Sequence, residues 1–226
     1  MNTRDSQSGH VRLDLPTKNL PLVNLEGVTL FPGTLLPIHA WDEQTCRQLC
    51  ACLTSDRLLV VHGGALARLS QPSALPAIAG LGRAVSDRRY PDGRIDLFLH
   101  GLARVELAEV TVGPHGLFAD VTLAPDLAAD PPDRAHGLLL RLTSMALLYA
   151  RGAPPEESDL IASVLRSSID PVLVSNRLAA AFITAPDERL ILLSERCPAA
   201  RCERLLDLFA TRLLAANDSP TADLLH

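Results

Sequence analysis

Side chains able to do chemistry are sparse and scattered in this chain of 226 residues. The seven histidines, His10, His39, His62, His100, His115, His136 and His226, fall at no spacing that would bring them onto one metal ion. Cys46, Cys50 and Cys52 crowd one predicted helix, and Cys197 and Cys202 lie far downstream. An odd count and the absence of any Cys-x-x-Cys argue against a disulfide framework or a zinc finger, and a reducing compartment suits such cysteines better. They read as small buried hydrophobes. No Gly-x4-Gly-Lys-Ser/Thr loop exists to cradle phosphates, and no Gly-x-Ser-x-Gly elbow exists to present a nucleophile. Lys18 is the only lysine among 21 basic residues, so a Ser-Lys dyad has only that N-terminal lysine to use. Glu156, Glu157 and Asp159 sit at a predicted helix start, where carboxylates complement the helix dipole. Arg88, Arg89 and Arg94 bracket a predicted turn and could touch phosphate or acidic peptide, or merely be solvated. The expectation is a protein without catalytic residues, metal or cofactor.

The elements that position these residues fall into two regimes. From Leu20 to Val121 the chain reads as short apolar runs cut by Gly and Pro. "LLVVH" (58–62), "IDLFLHG" (95–101), "RVELAEVTV" (104–112) and "FADVTL" (118–123) are predicted strands. One helix, from Trp41 to about Thr54, interrupts them. Tyr90-Pro91-Asp92-Gly93 has the residues of a tight turn and predicts a β-hairpin. From Pro131 onward the chain reads as consecutive helices, with starts predicted at Asp130-Pro131, Asp170-Pro171, Pro186 and Pro198. Cys202, Leu205, Leu206, Phe209 and Leu213 form one apolar face of the last helix. The boundary falls in "LAPDLAADPPD" (123–133). The fold class is α+β. The expected organisation is a β-rich subdomain over 18–125, a helical bundle over 131–216, and disordered tails at 1–17 and 217–226.

Composition adds limits. The 47% hydrophobic and 21% charged content suits a globular chain able to bury a core without staples. A net charge of −5 weighs against a nucleic-acid binder. The polar start, "MNTRDSQSGH", lacks the apolar core of a signal peptide. The richest apolar helix, Gly137 to Ala150, is shorter than the ~20 residues of a membrane span. A cytoplasmic location and no membrane partner are expected.

Two groups of motifs in order resemble the N-terminal, substrate-binding domain of the ATP-dependent Lon proteases. The first is Pro21-Leu22-x-x-Leu25, then Leu30-Phe31-Pro32-Gly33, then Pro37-Ile38. The second is Gly80-Leu81-Gly82-Arg83-Ala84, then Pro91-Asp92-Gly93, then Gly101-x-x-Arg104-Val105. The helical half, "NRLAAAFITAPDERLILLSERCPAARCERLLDLF", is similar to the family's pattern of a short helix, a turn and a long final helix. The resemblance covers about residues 20–215. It implies a PUA-like β-pseudobarrel with one intervening helix, followed by a helical bundle. The chain ends where the ATPase and protease modules would begin, so a stand-alone Lon-type domain is expected.

The resemblance further implies a non-enzymatic module that holds unfolded or degron-bearing polypeptide. It would act as an adaptor or accessory factor in proteolysis, with a full-length protease among its partners. Strand addition and apolar pockets are the two physical modes open to it. Candidate contact residues are Phe31, Leu36 and Ile38 in the apolar stretch "VTLFPGTLLPI" (28–38), together with Tyr90, Arg83 and Arg104. Within that stretch Val28 to Phe31 is expected to end a strand, and Leu36 to lie on an exposed edge, where Leu36→Glu would abolish binding without lowering the melting temperature. An RNA-binding PUA-like protein is the alternative, supported by Arg83, Arg88, Arg89, Arg94 and Arg104; few aromatics (4%) weigh against base stacking. A residual ATP-dependent peptidase, so named by similarity only, is the third.

Overall fold

The computed structural model describes residues 15, 17–65, 77–127, 131 and 133–218; side chains of 216–218 are excepted. Its strands are β1 (Leu20–Asn24), β2 (Leu35–Ala40), β3 (Leu58–His62), β4 (Ala77–Arg89), β5 (Ile95–Gly113) and β6 (Gly116–Leu123). Helix α1 (Glu43–Leu53) interrupts them. The helices α2 (Arg134–Ala150), α3 (Pro155–Ser167), α4 (Pro171–Phe182), α5 (Pro186–Ser194) and α6 (Pro198–Asp218) follow. The class is α+β, with a β-rich part followed by a helical part. The two expected tails lie largely outside the described residues.

Strand β5 decides the architecture. Its first half pairs with β2 on one side and β4 on the other, and its second half pairs with β4 and β6. Since β4 pairs with β3, β3 with β1 and β1 with β6, the sheet closes on itself, and β2 hangs outside the ring on β5. The two strands expected at 95–101 and 104–112 are therefore one. Leu81 faces Ala103 and Gly82 faces Gly101, so Leu102 is an extra residue that bends β5 without ending it. The predicted hairpin joins β4 to β5, closed by Tyr90 N–H to the Arg94 carbonyl at 2.9 Å.

Helix starts follow the local chemistry. The Asp42 carboxylate accepts from Thr45 N–H at 2.8 Å, so α1 begins at Glu43, two residues after the expected Trp41. Asp170 accepts from Val172 N–H at 2.9 Å ahead of Pro171, as expected, and Pro186 and Pro198 also open helices. Pro131 does not, because a residue followed by proline is disfavoured in the helical region. Pro132 follows it, and α2 starts only at Arg134.

Three apolar cores result. Leu22, Val60, Leu81, Val105 and Val121, with neighbours from all five ring strands, fill the barrel. Ile38, Leu49, Cys52, Leu59 and Leu97 form a second layer beneath α1. Leu142, Ile161, Leu178, Leu192, Leu205 and Phe209 build the helical core. The segment Val28 to Phe31 is not the expected strand end; it crosses the sheet outside any ladder. Leu30 enters the layer under α1, while Phe31, 0% exposed, enters the helical core.

That crossing explains the glycines of the motif. A Cβ on Gly80 would lie 2.3 Å from the Leu30 carbonyl oxygen, and one on Gly101 would lie 2.1 Å from that of Phe31. Backbone atoms pinned by two cores cannot withdraw. Gly101→Ala is expected to cost about 3 kcal/mol of stability by urea denaturation, as for overpacking elsewhere. A loss below about 0.5 kcal/mol would show that the segment can move aside.

Candidate functional site: an outer sheet face and the groove beside it

Side chains of β2 alternate about the pleat. Leu36, Ile38 and Ala40 turn inward, while Leu35, Pro37 and His39 turn outward. The antiparallel pairing continues each outward position across the sheet. Leu35, His100 and Arg83 form one row, Pro37, Phe98 and Ser86 the next, and His39, Asp96 and Arg88 the third. Between Ala84 and Ser86 the register slips, so Val85 is an extra residue on β4. The outward face is apolar where a solvated face would be polar: Leu35 is 61% exposed, Val85 55% and Phe98 50%. Trp41, 73% exposed, extends the track beyond β2 and lies 5.7 Å from the His39 ring.

At its polar end the face is internally compensated. Asp96 bonds His39 Nδ1 and accepts from the Tyr90 hydroxyl at 2.7 Å. These two bonds, with His39 close by, hold its carboxyl below the usual range. The guanidinium carbons of Arg88 and Arg94 sit 4.9 and 5.1 Å from the Tyr90 ring centre. Arg94 pairs with Asp92, and Arg57 and Arg89 with Asp87.

At its other end the face runs into a groove of about 540 Å³ between the sheet and α3–α4. Leu35, Val85, His100, Val164, Arg177 and Ala180 are among its lining residues. Arg177 donates from Nε to the Gly33 carbonyl at 3.2 Å and from Nη1 to Ser167 Oγ at 2.5 Å.

Arg104, a candidate contact residue, is elsewhere. It is 2% exposed and donates to the Leu193 carbonyl, both Asp126 oxygens and Asn176 Oδ1 at 2.6–3.1 Å. Asn176 Nδ2 donates in turn to the Pro32 carbonyl at 3.0 Å. Arg201, fully buried, shares Asp126 at 2.8 Å and also binds Ser175 Oγ and the Glu195 carbonyl. This network joins barrel, Phe-Pro-Gly turn and helices.

Among the described residues, no group of three or more His, Cys, Asp or Glu could hold a metal ion, and no helix is long and apolar enough to cross a membrane. Burial pushes the Cys52 and Cys202 thiols up to about 11. Both should resist alkylation at pH 8 in the folded protein and react on unfolding, while half-buried Cys46, Cys50 and Cys197 react first. Thiols that hold their protons more tightly when folded support stability below pH 9. That support is lost as pH climbs from 9 through about 11. Fast native labelling of either buried thiol would contradict the packing.

The family described as the ATP-dependent protease La (LON) substrate-binding domain matches residues 19–211. This chain belongs to that family. The Lon protease of Elusimicrobium minutum is 24% identical over 198 residues, 86% of this chain and 24% of the relative's length. That of Xanthomonas oryzae pv. oryzae is 25% identical over 188 residues, 77% of this chain and 22% of the relative. The chain thus spans about a quarter of the Lon proteases it matches. The N-terminal domain of Mycobacterium avium complex Lon protease superposes with a TM-score of 0.70 at 19% identity, covering 85% of this chain and 98% of that one. A Lon N-terminal domain protein from Xanthomonas campestris gives 0.54 at 21%, covering 84% and 97%. These two likenesses establish the fold.

Seen on this Lon-type fold, the motif residues Phe31, Pro32, Gly80, Gly101 and Arg104 serve the junction between barrel and helices. Of the six candidate contact residues, Phe31, Ile38 and Arg104 are buried and Leu36 packs half-buried on the layer under α1. Arg83 is exposed on the outer face, and half-buried Tyr90 sits at its edge. Leu35, Pro37, Val85, Phe98 and Arg177 are not among those candidate contact residues. Pro37 carried a usable signal: proline is confined to edge strands, and residues two apart share its face.

Proposed function

We propose that this chain is a non-catalytic polypeptide-binding module that engages apolar stretches of unfolded or degron-bearing proteins on the outer face of β2, β5 and β4. The carrying observation is the alignment of Leu35, Pro37, Val85 and Phe98 on one exposed face that opens into a groove. Membership of a family described by substrate binding supports it. Contact through side chains fits better than strand addition, because Pro37 removes an N–H from β2. A role as adaptor for a full-length protease, in the cytoplasm, belongs to the same proposal. Pairing of the hairpin residues Arg89 with Asp87 and Arg94 with Asp92 favours polypeptide over a phosphate backbone. The test is anisotropy of a labelled, permanently unfolded protein titrated with this chain. Saturable binding that survives about 0.5 M salt supports apolar contact. No binding above that of an unrelated acidic protein would sink the proposal.

A further inference from the structure

The groove beside Leu35 gathers basic side chains at the end of the apolar face. The chain has a formal net charge of −5, yet among the described residues no carboxylate lines this groove. His100 and Arg177 line it, and Arg83 is paired across the sheet from His100 in the same outward row. Among the described residues, neither Arg83 nor Arg177 is within ion-pair distance of an acid. Arg189 reaches the carbonyl of the lining residue Ala180 at 3.5 Å, and among the described residues its buried Nε has no partner and it too has no carboxylate. Arg47, Arg57, Arg89, Arg94, Arg104, Arg134, Arg196, Arg201 and Arg204 each have one, whereas Arg88, Arg141, Arg151, Arg166 and Arg212, none of which lines this groove, have none among the described residues. Arg177 is also held in place: two hydrogen bonds, to Gly33 and Ser167, fix its guanidinium at the groove wall. A fixed guanidinium loses little freedom when it takes a carboxylate.

We infer that the groove selects polypeptide segments in which an aspartate or glutamate side chain adjoins an apolar run, the acid meeting Arg177 while the apolar residues lie on Leu35, Val85 and Phe98. This rests on the polypeptide-binding proposal and narrows its substrate class. The occupant is an internal acidic side chain. The groove runs on into the open outer face, so the chain can pass through in either direction, and no terminus is required.

Four ten-residue peptides of Leu, Phe and Ala, acetylated at the N-terminus, test it by calorimetry on the full chain. Three are amidated and carry a central Glu, Gln or Lys; the fourth carries Gln and a free C-terminal carboxylate. On the unaltered protein the Glu peptide should bind about tenfold tighter than the Gln peptide, and the Lys peptide weaker still. Arg177→Gln should reduce that tenfold preference to less than twofold. Arg177→Lys should keep much of it. Should Arg177→Gln lower the melting temperature, the unaltered protein still decides, since the Glu preference should shrink between about 0.05 and 0.5 M salt. Equal affinity for Glu and Gln peptides would overturn acid selection and leave apolar binding standing. Tighter binding of the free-carboxylate peptide than of the Glu peptide would replace it with capture of a chain end. No binding by any of the four would remove the polypeptide-binding proposal together with this one.

Discussion

Asp126→Ala is expected to remove about 3–5 kcal/mol of folding stability, the usual cost of stripping one partner from a buried ion pair. Asp126 is the carboxylate that two buried guanidinium groups share, Arg104 and Arg201, at 3.0 and 2.8 Å. Burial drives the Arg104 pKa down to about 10, the nearby Arg201 charge pushes the same way, and Asp126 opposes both. Without that carboxylate, two like charges face each other on guanidinium groups that are themselves almost wholly buried. One Arg201 nitrogen, Nη2, already finds no acceptor among the described residues, so the site has no reserve. Carbonyls of Leu193 and Glu195 and the side chains of Ser175 and Asn176 remain, but none carries charge. Chemical denaturation measures the loss. A companion variant sharpens it: Arg104→Met with Arg201→Leu and Asp126→Leu removes the whole group and should cost far less than Asp126→Ala, because apolar replacements of matched size often substitute for buried ions. A loss under about 1 kcal/mol for Asp126→Ala would mean that water enters the network and screens it.

The second large effect separates binding from stability. Phe98→Asp combined with Leu35→Asp should weaken binding of an unfolded polypeptide by about thirtyfold or more, as for residues central to an interface. Both side chains are at least half exposed, so the melting temperature should move by no more than a few degrees. Leu36→Asp should do the reverse. Its side chain packs on the layer that holds Ile38, Leu49 and Leu97, and a charge there opposes burial. This replaces the sequence-based expectation that Leu36→Glu would abolish binding while sparing stability. Circular dichroism melts and anisotropy titrations on the same samples decide. Loss of binding in Leu36→Asp alone, with an unchanged melt, would place the contact on the opposite face.

Why the fold could be read in advance, and the site could not, comes down to the range of the forces involved. Turn chemistry at Tyr90 to Gly93 and capping at Asp170 depend on neighbours in sequence, and both appear where expected. Local capping chemistry points to Pro131 as the start of α2, but the proline after it disfavours the helical region there, and α2 starts at Arg134. The Leu102 bulge, which merges two expected strands, is set by pairing with β4 and leaves no local mark. Parity along β2 is fixed by the layer beneath α1, whose Leu59, Ala84 and Leu97 lie well downstream in the chain, and an apolar stretch such as Leu35 to Ile38 fits either parity. Phe31 and Arg104 are conspicuous in the motifs and read as contact residues from sequence, whereas their burial gives them to the junction. Nothing in the sequence distinguishes Arg177 from nineteen other arginines; its lack of a carboxylate partner exists only in three dimensions.

Leu30 and Phe31 are adjacent, yet one enters the layer under α1 and the other the helical core. In evolutionary terms a single peptide bond therefore holds two hydrophobic registers in step. A one-residue insertion or deletion just before Leu30 would rotate both side chains out of their cores at once, and no compensating change in either core alone could repair it. The length of the chain between β1 and β2 is thus under tighter constraint than its composition, and drift in this loop can proceed by substitution but not by indel.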